Sequence, residues 1–236
     1  MASNGGFMTG KVVLVTGATG GLGTAVTKVF LDAGAITVGV APHVRASDFN
    51  HPAFKPVPAD ITMAQGAQDV VEEVLRHLGH IDVLAHLVGG FAGGQPVDKM
   101  DDQTWKRMMS LNLDAAFFMT RAVLAPMQRA GSGRIIAIAS RAALDPGANV
   151  GAYSASKAAM VSLIQTIAIE NKNRGITANS ILPATIDTPA NRKLDPGADY
   201  SQWIRPEAIA SMILWLATDA GAVVTGAAIP MYGAQL

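Results

Sequence analysis

One feature constrains the fold of this chain more than any other: short apolar runs alternate with longer segments of helical spacing from one end to the other. Residues 12–15 are wholly apolar, as expected of a strand that is covered on both faces of a sheet. A helix at residues 22–32 follows, and the alternation continues to a last short strand at 227–230. Because parallel strands are joined by crossover helices, this order predicts α/β architecture: one doubly wound sheet of about seven mostly parallel strands with helices on both faces.

The same pattern places the remaining elements along the chain. The predicted strands between these ends are 36–41, 57–59, 81–88, 134–139 and 176–182, and the further predicted helices are 63–78, 105–129, 153–173 and 206–218. Residues 1–9 are expected to be a flexible N-terminal tail, and residues 10–236 a single domain. Residues 184–205 are irregular and follow the sixth strand at its carboxyl end, where such sheets bind ligands, so they are predicted to be a substrate loop.

Composition excludes several classes of function. Eighteen basic residues balance eighteen acidic ones, so no basic field favours nucleic acid or an anionic membrane. The absence of cysteine removes thiol catalysis and disulfides and is compatible with a reducing compartment. The five histidines show no ligand spacing on one helix, so no metal site is expected. Without the features of a signal peptide or an apolar run of ~20 residues, we expect a cytoplasmic protein.

The low charge content points to extensive burial. Only 15% of residues are charged, against roughly 25% in an average globular protein. Residues 154–169 carry apolar side chains on several sides of the predicted helix, and Lys157 is the only charge before Glu170. Apolar surface on more than one side of a helix implies a partner beyond the sheet, so we expect a homo-oligomer, a dimer or a tetramer.

A glycine-rich turn joins the first strand to the first helix. Residues 16–23 read T-G-x-x-x-G-x-G rather than the usual G-x-G-x-x-G. Glycines between a strand and a helix let the backbone approach a pyrophosphate, which the helix N-terminus attracts. The turn can also be a simple connection, but its place after the first strand favours a dinucleotide site. The candidate cofactor-binding residues here are Gly17, Thr19, Gly20, Gly21, Leu22 and Gly23.

The end of the second predicted strand normally selects the cofactor. An acidic residue there accepts a hydrogen bond from the ribose 2′-hydroxyl and disfavours a 2′-phosphate. This chain has Ala41 instead, with His43 and Arg45 close behind, either able to contact a phosphate or to be an ordinary surface residue. The sequence therefore favours NADP(H), with NAD(H) possible. Asp60 and Ile61 follow the third strand, and Asp60 can hold the adenine edge or simply cap the next turn.

Three residues form a candidate catalytic group. Tyr153 and Lys157 lie four residues apart, on one face of a predicted helix. A nearby ammonium favours phenolate, which would bring the pKa of tyrosine down from near 10. Ser140 ends the fifth strand and can place a hydroxyl beside the Tyr153 oxygen. Together these groups can move a proton to or from an oxygen while a hydride moves at the attached carbon.

With these motifs the chain resembles the short-chain dehydrogenase/reductase family, in its compact single-domain form, over residues 11–233. The resemblance implies a Rossmann-type NAD(P)-binding catalytic domain and subunit contacts through the helices around 105–129 and 153–172. It implies that Tyr153 is the acid/base, that Lys157 lowers the pKa of Tyr153 and binds the nicotinamide ribose, and that Ser140 orients the substrate oxygen. Asn112 would hold a water that links Lys157 to solvent, although it can equally bond to a neighbouring turn. The further cofactor contacts that it implies are Gly89, Pro183, Ile186 and Thr188.

Two departures from the family pattern qualify the resemblance. Where the family usually has Asn-Asn-Ala-Gly, this chain has residues 86–89 as His-Leu-Val-Gly, and we interpret His86 as a neutral structural hydrogen-bonding residue. Ala184 stands where the family usually has glycine. Residues 89–94, 182–192 and 198–203 are similar to the dihydropteridine reductase branch, which normally lacks the serine and has an acidic residue after the second strand.

These observations favour an NAD(P)H-dependent oxidoreductase acting on a ketone, 3-oxoacyl or related small carbonyl or alcohol substrate. Reduction of a quinonoid pterin or a quinone is the alternative within the family. A nucleotide-binding sensor without turnover is a third hypothesis, disfavoured because Ser140, Tyr153 and Lys157 are all present.

Overall fold

The computed structural model describes residues 6–235 and contains one seven-stranded sheet. The strands are β1 (Val12–Thr16), β2 (Ile36–Ala41), β3 (Phe54–Pro58), β4 (Val83–His86), β5 (Gly133–Ile138), β6 (Ile176–Pro183) and β7 (Ala228–Met231). Every neighbouring pair is parallel, in the order β3-β2-β1-β4-β5-β6-β7. The order reverses between β1 and β4, so the carboxyl ends of these two strands flank the crevice where such sheets bind ligands. The predicted doubly wound α/β fold is confirmed.

Helices cover both faces of the sheet. They are α1 (Gly21–Asp32), α2 (Ala64–Leu78), α3 (Asp102–Met109), α4 (Ala115–Ala130), α5 (Gly151–Asn171), α6 (Pro189–Leu194) and α7 (Pro206–Ala217). Alternate residues of β1 enter two separate cores: Val12 and Leu14 pack with α2, α4 and α5, whereas Val13 and Val15 pack with α1 and α7. The wholly apolar strand read from the sequence is thus apolar because both faces are covered.

Several predicted boundaries are corrected. The third strand begins at Phe54, and its two prolines are tolerated because β3 lies at the edge of the sheet. The predicted helix 105–129 starts at Asp102, capped by Asp101, and passes through a π-helical segment at Ser110–Asp114. The irregular stretch 184–205 contains the short helix α6.

The predicted N-terminal tail is shorter than expected. Residues 1–5 lie outside the described residues. Met8 is buried, and its amide donates a hydrogen bond of 3.0 Å to the Ala33 carbonyl. Packing therefore begins before residue 9, because this apolar side chain is covered by the end of α1.

Candidate active site

The glycine turn brings the backbone of β1 and α1 unusually close together. Gly17 has φ +70°, a conformation that favours glycine, and a Cβ at Gly23 would collide with the Gly17 carbonyl. Gly20 precedes α1, and among the described residues no side chain caps this helix. The first-turn amides, including those of Leu22 and Gly23, therefore remain available to an anion. Thr19 is exposed on the same turn, so this cradle fits a pyrophosphate.

The loop after β6 closes against the glycine turn. A Cβ placed on Gly21 would lie 2.7 Å from Thr188 Cγ2, so the two segments are in close contact. Asn191 holds the loop in this shape: its side-chain amide donates to the Ile186 carbonyl at 2.8 Å, and its backbone amide donates to Thr188 Oγ1 at 3.2 Å. Pro183, the last residue of β6, is buried at the base of this loop. Of the three predicted contacts, Thr188 lies against the turn, while Ile186 and Pro183 precede it in the same loop and at the loop's base.

The carboxyl ends of β2 and β3 carry no free acidic side chain aimed at a ribose among the described residues. Ala41 is buried at the end of β2, and Arg45 is exposed four residues later. Asp60 uses Oδ1 to accept hydrogen bonds from the Thr62 amide and hydroxyl, at 2.9 and 2.6 Å. These bonds hold the pKa of Asp60 below its ordinary value, and Ile61 is buried behind it. Asp60 therefore forms the turn that starts the next helix, which is the second of its two predicted roles.

Ser140 and Tyr153 meet at the carboxyl end of β5. Ser140 follows the strand directly, and its Oγ also accepts a 3.2 Å hydrogen bond from the Ala142 amide. Burial raises the pKa of Tyr153 above its ordinary value, and a hydrogen bond with the Ser140 side chain opposes that rise. The tyrosine therefore carries its proton at neutral pH, next to a serine hydroxyl.

Lys157 lies in the same site but is directed at the main chain. It is buried, and Nζ donates a 2.8 Å hydrogen bond to the Ile138 carbonyl of β5. Burial lowers the pKa of Lys157 to about 8. The net pKa of Tyr153 in this geometry shifts in the direction opposite to the one expected from Lys157, because burial of the phenol is the largest influence on it.

Asn112 clamps the loop that follows β4. It lies in the π-helical segment and is fully buried. Its Oδ1 accepts from the Gly90 amide at 2.8 Å, while Nδ2 donates to the Gly90 carbonyl at 3.1 Å and to Ser156 Oγ at 2.9 Å. A Cβ on Gly89 would lie 2.8 Å from Asn112 Oδ1 and 2.9 Å from Lys157 Nζ, so glycine permits this approach. The side chain of Asn112 therefore bonds to a neighbouring turn, the alternative that the sequence left open.

His86 ties the end of β4 to the start of the glycine turn. It is fully buried, and Nδ1 lies 3.1 Å from Thr16 Oγ1. The Thr16 oxygen accepts hydrogen bonds from the amides of Leu87 and Val88, so its own proton is donated to His86 Nδ1. Burial, with a smaller effect from the nearby Lys157 cation, lowers the pKa of His86 to about 3. His86 is neutral and structural, as the sequence interpretation holds.

The mouth of the site is lined by aromatic rings. Phe91 is half exposed and meets the Tyr153 ring edge to face, with centroids 5.0 Å apart. In the substrate loop, the rings of Tyr200 and Trp203 pack at 4.7 Å. Arg192 is held by Asp187 through two hydrogen bonds, of 2.6 and 2.8 Å.

Sequence reasoning missed three residues that shape the site. Ser156 and Gly90 complete the clamp around Asn112, and Gln235 binds the substrate loop from the far end of the chain. The position of Ser156 between Tyr153 and Lys157 on the same helix could have identified it from the sequence. No sequence pattern indicates the role of Gln235, since its partners lie more than 30 residues away.

Among residues 6–235, no helix is both long and apolar enough to cross a membrane. The same residues contain no group of three or more metal-ligating side chains.

Comparison with known proteins gives consistent matches along most of the chain. The short chain dehydrogenase family matches residues 11–199. D-beta-hydroxybutyrate dehydrogenase of Rhizobium meliloti is 30% identical over 255 residues, covering 94% of this chain and 97% of that protein. NAD-dependent glycerol dehydrogenase of Listeria innocua is 32% identical over 232 residues, covering 93% and 91%. The crystal structure of 3-ketoacyl-(acyl-carrier-protein) reductase from Brucella melitensis, complexed with NADH, has a TM-score of 0.87 at 25% identity and covers 97% of this chain and 99% of that chain.

Proposed function

The chain belongs to the short-chain dehydrogenase family and is an NAD(P)-dependent oxidoreductase, and on that premise we propose that Tyr153 is the acid/base that acts on a carbonyl or alcohol substrate. The observation that carries the proposal is the position of the Ser140 side chain, just after β5 and close enough to the Tyr153 phenol to counteract the rise in its pKa. Two hydroxyl groups at one point can both bond to a substrate oxygen. In reduction, the bound dihydronicotinamide supplies a hydride to the carbonyl carbon.

Tyr153 supplies the proton that balances this hydride. Its O–H donates to the carbonyl oxygen, which becomes the alcohol, while the Ser140 hydroxyl orients the same oxygen. The raised pKa keeps Tyr153 protonated before the reaction, as reduction requires. Lys157, with a pKa of about 8, is mainly a buried cation at neutral pH and favours the tyrosinate left after proton transfer. In alcohol oxidation each proton moves in the opposite direction.

The residues around the glycine turn fit a nicotinamide dinucleotide. The uncapped start of α1 and the exposed Gly20 before it would hold the pyrophosphate. Thr188 packs on Gly21 and would contact the phosphates, and the Ile186 backbone would bind the carboxamide. Gly89 lets the Lys157 ammonium lie close to the main chain after β4, where Lys157 and Tyr153 would bind the ribose.

We also propose that this site prefers NADP(H) to NAD(H). Ala41 leaves no carboxylate to repel a 2′-phosphate, and the exposed Arg45 guanidinium is available nearby. The Listeria relative is NAD-dependent and the Brucella structure holds NADH, so this preference would distinguish the chain from them. Equal or tighter binding of NADH than of NADPH, measured by fluorescence titration, contradicts the preference.

The active form is proposed to be a homo-oligomer assembled through α4 and α5. Phe117 and Ile169 are large apolar side chains that stand exposed on these helices. Arg121 lies over the rings of Phe117 and Phe118, with centroids 4.8 and 5.5 Å from its guanidinium carbon. Apolar and cation–π surface of this kind is typical of an interface between subunits. Light scattering at micromolar concentration tests this assembly, and a monomer contradicts it.

Substitution of Tyr153 by phenylalanine tests the central assignment. The ring and its packing on Phe91 remain, whereas the transferable proton is lost, so kcat/KM on a ketone panel should fall about 10²–10⁴-fold. Cofactor affinity and the melting temperature serve as controls and should change little. Undiminished turnover by Tyr153→Phe would overturn the assignment.

Substitution of Ser140 by alanine separates the two substrate classes. Carbonyl reduction needs the second hydroxyl on the oxygen and should fall about 10²-fold. Reduction of a quinonoid dihydropterin or a quinone, which lacks this requirement, should persist. Full ketone activity in Ser140→Ala contradicts the proposed role of the serine.

A further inference from the structure

The segment that follows β7 lies across the base of the substrate loop. Gln235 extends its side chain to both ends of that loop: Oε1 accepts from the Thr185 amide at 3.3 Å, and Nε2 donates to the Gln202 carbonyl at 2.9 Å. A weaker contact of 3.4 Å joins Nε2 to the Thr185 carbonyl. One amide group therefore bridges positions 17 residues apart in the loop, and both partners are backbone groups that remain after any side-chain substitution.

These contacts occur where the two ends of the loop come together. Ile186 and Ile204 form a parallel bridge, in which the Asp187 amide donates to the Ile204 carbonyl at 2.8 Å and the Ile204 amide donates to the Thr185 carbonyl at 2.9 Å. This bridge closes the base of the loop, and the tip that carries Arg192 and Trp203 lies between the two bridged residues. Gln235 adds a third connection across the same base.

The same segment also contacts the chain next to Ser140. The Arg141 guanidinium donates a hydrogen bond to the Gln235 carbonyl, lies over the Tyr232 ring at 5.4 Å and pairs with Asp145 at 2.7 Å. Arg141 directly follows the proposed catalytic serine. Gln235 therefore connects the base of the loop to the serine segment. Its side chain bonds to the loop, and its backbone carbonyl bonds to Arg141.

We propose that Gln235 is a positioning residue that fixes the substrate loop, residues 184–205, over the serine side of the active site and thereby sets the affinity for the carbonyl substrate. The kinetic part of this inference rests on the proposed function. The hydrogen bonds of the Gln235 side chain go to Thr185 and Gln202, whereas the glycine turn is contacted by Thr188. Loss of the bridge weakens binding of substrate and transition state alike, which raises KM and leaves kcat nearly unchanged.

The test compares Gln235→Ala with the wild type and with Gln68→Ala. The control removes a glutamine side chain of the same size, whose amide donates a 2.8 Å hydrogen bond to Glu72 on the exposed face of α2. Two readouts are used: steady-state kinetics with a reactive ketone, and trypsin cleavage after Arg192 and Lys193 in the loop without any substrate. For Gln235→Ala we expect KM to rise about tenfold, kcat to stay within about threefold, and loop cleavage to accelerate about tenfold.

The outcomes separate a positioning role from a general structural one. A fall in kcat with unchanged KM, accompanied by a lower melting temperature, identifies general destabilisation and overturns the proposal. Unchanged KM and unchanged cleavage overturn it as well. If the wild type reduces no ketone, the proposed function fails, and the protease readout alone then decides: faster loop cleavage in Gln235→Ala, but not in Gln68→Ala, supports the loop bridge, and equal cleavage rejects it.

Discussion

The glycine turn, residues 16–23, and the substrate loop, residues 184–205, meet where Gly21 packs against Thr188, yet they are held in place by different means. The turn is held by close approach of main chain to main chain, as where Gly23 faces the Gly17 carbonyl. The loop has one main-chain bridge at its base, between Ile186 and Ile204. Its other attachments include the side chains of Asn191, Arg192 and the distant Gln235. The turn therefore tolerates almost no added atom, whereas the loop can lose single contacts and still keep its path.

The largest effect is expected from adding one methyl group to the turn. In Gly23→Ala the new Cβ would meet the Gly17 carbonyl, a backbone atom that cannot move aside. Overpacking typically costs about 1–3 kcal/mol, and more where the backbone is the obstacle, so the Kd for NADPH should rise about 100-fold or more. Isothermal titration measures the affinity, and urea unfolding measures the accompanying loss of stability.

Gly197→Ala is the matched change in the substrate loop. Its Cβ would find nothing within 4 Å, and its backbone needs no positive φ. The Kd for NADPH and the free energy of unfolding should therefore match the wild type. The contrast between the two regions fails if both alanine variants bind NADPH equally well, or if Gly197→Ala is the more damaging of the two.

One attachment of the glycine turn depends on the side chain of His86. From its burial we expect an effect of intermediate size, which appears at acid pH. Unfolded His86 takes up a proton below about pH 6.5, whereas buried His86 does so only near pH 3. The unfolded state therefore binds more protons in this window, and stability is lost as the pH falls through it. Between pH 7.5 and 4.5 the wild type should lose about 3 kcal/mol more than His86→Asn, in which this proton uptake is absent.

Urea unfolding at the two pH values measures this difference, and other acidic groups cancel because both proteins contain them. Asparagine at position 86 can still accept the Thr16 hydroxyl proton. The free energies of unfolding of His86→Asn and the wild type should therefore differ less at pH 7.5 than at pH 4.5. Parallel loss of stability in the two proteins would show that the burial of His86 does not control the acid response.

The same contrast explains what the sequence could predict. The turn, Tyr153, Lys157 and Ser140 are local motifs whose spacing fixes their place on a strand end or a helix face, and the structure brings them to one edge of the sheet. The role of Gln235 depends on partners 33 and 50 residues away, which no local pattern specifies. The π-helical segment around Asn112 was not predicted either, because its residues have ordinary helical spacing and the Asn112 side chain bonds to Gly90 and Ser156, which lie 22 and 44 residues away.

The direction of the pKa shift of Tyr153 is a third property that the sequence alone did not predict. From sequence, the i,i+4 ammonium suggests a lowered value, because the two side chains share a helix face. In the fold, Lys157 turns toward the Ile138 carbonyl, and partial burial of the phenol raises the pKa of Tyr153, opposite to the expected direction. Spacing thus identified the partners, while the direction of the effect depended on burial, which only the tertiary structure determines.

The smallest effect is expected from the exposed pair in the substrate loop. Asp187→Asn removes the charge that holds Arg192, but such pairs contribute little in water, so the melting temperature should move by less than about 2 °C. Trypsin cleavage after Arg192 should nevertheless rise about two- to threefold at low salt, and the wild type in 1 M salt should behave like the variant, because salt screens exposed charges. Asp98→Asn, which breaks a comparable exposed pair with Lys99, should change neither readout. A loss of stability in Asp187→Asn as large as that in Gly23→Ala would mean that the loop is held as rigidly as the turn, and the contrast between them would not stand.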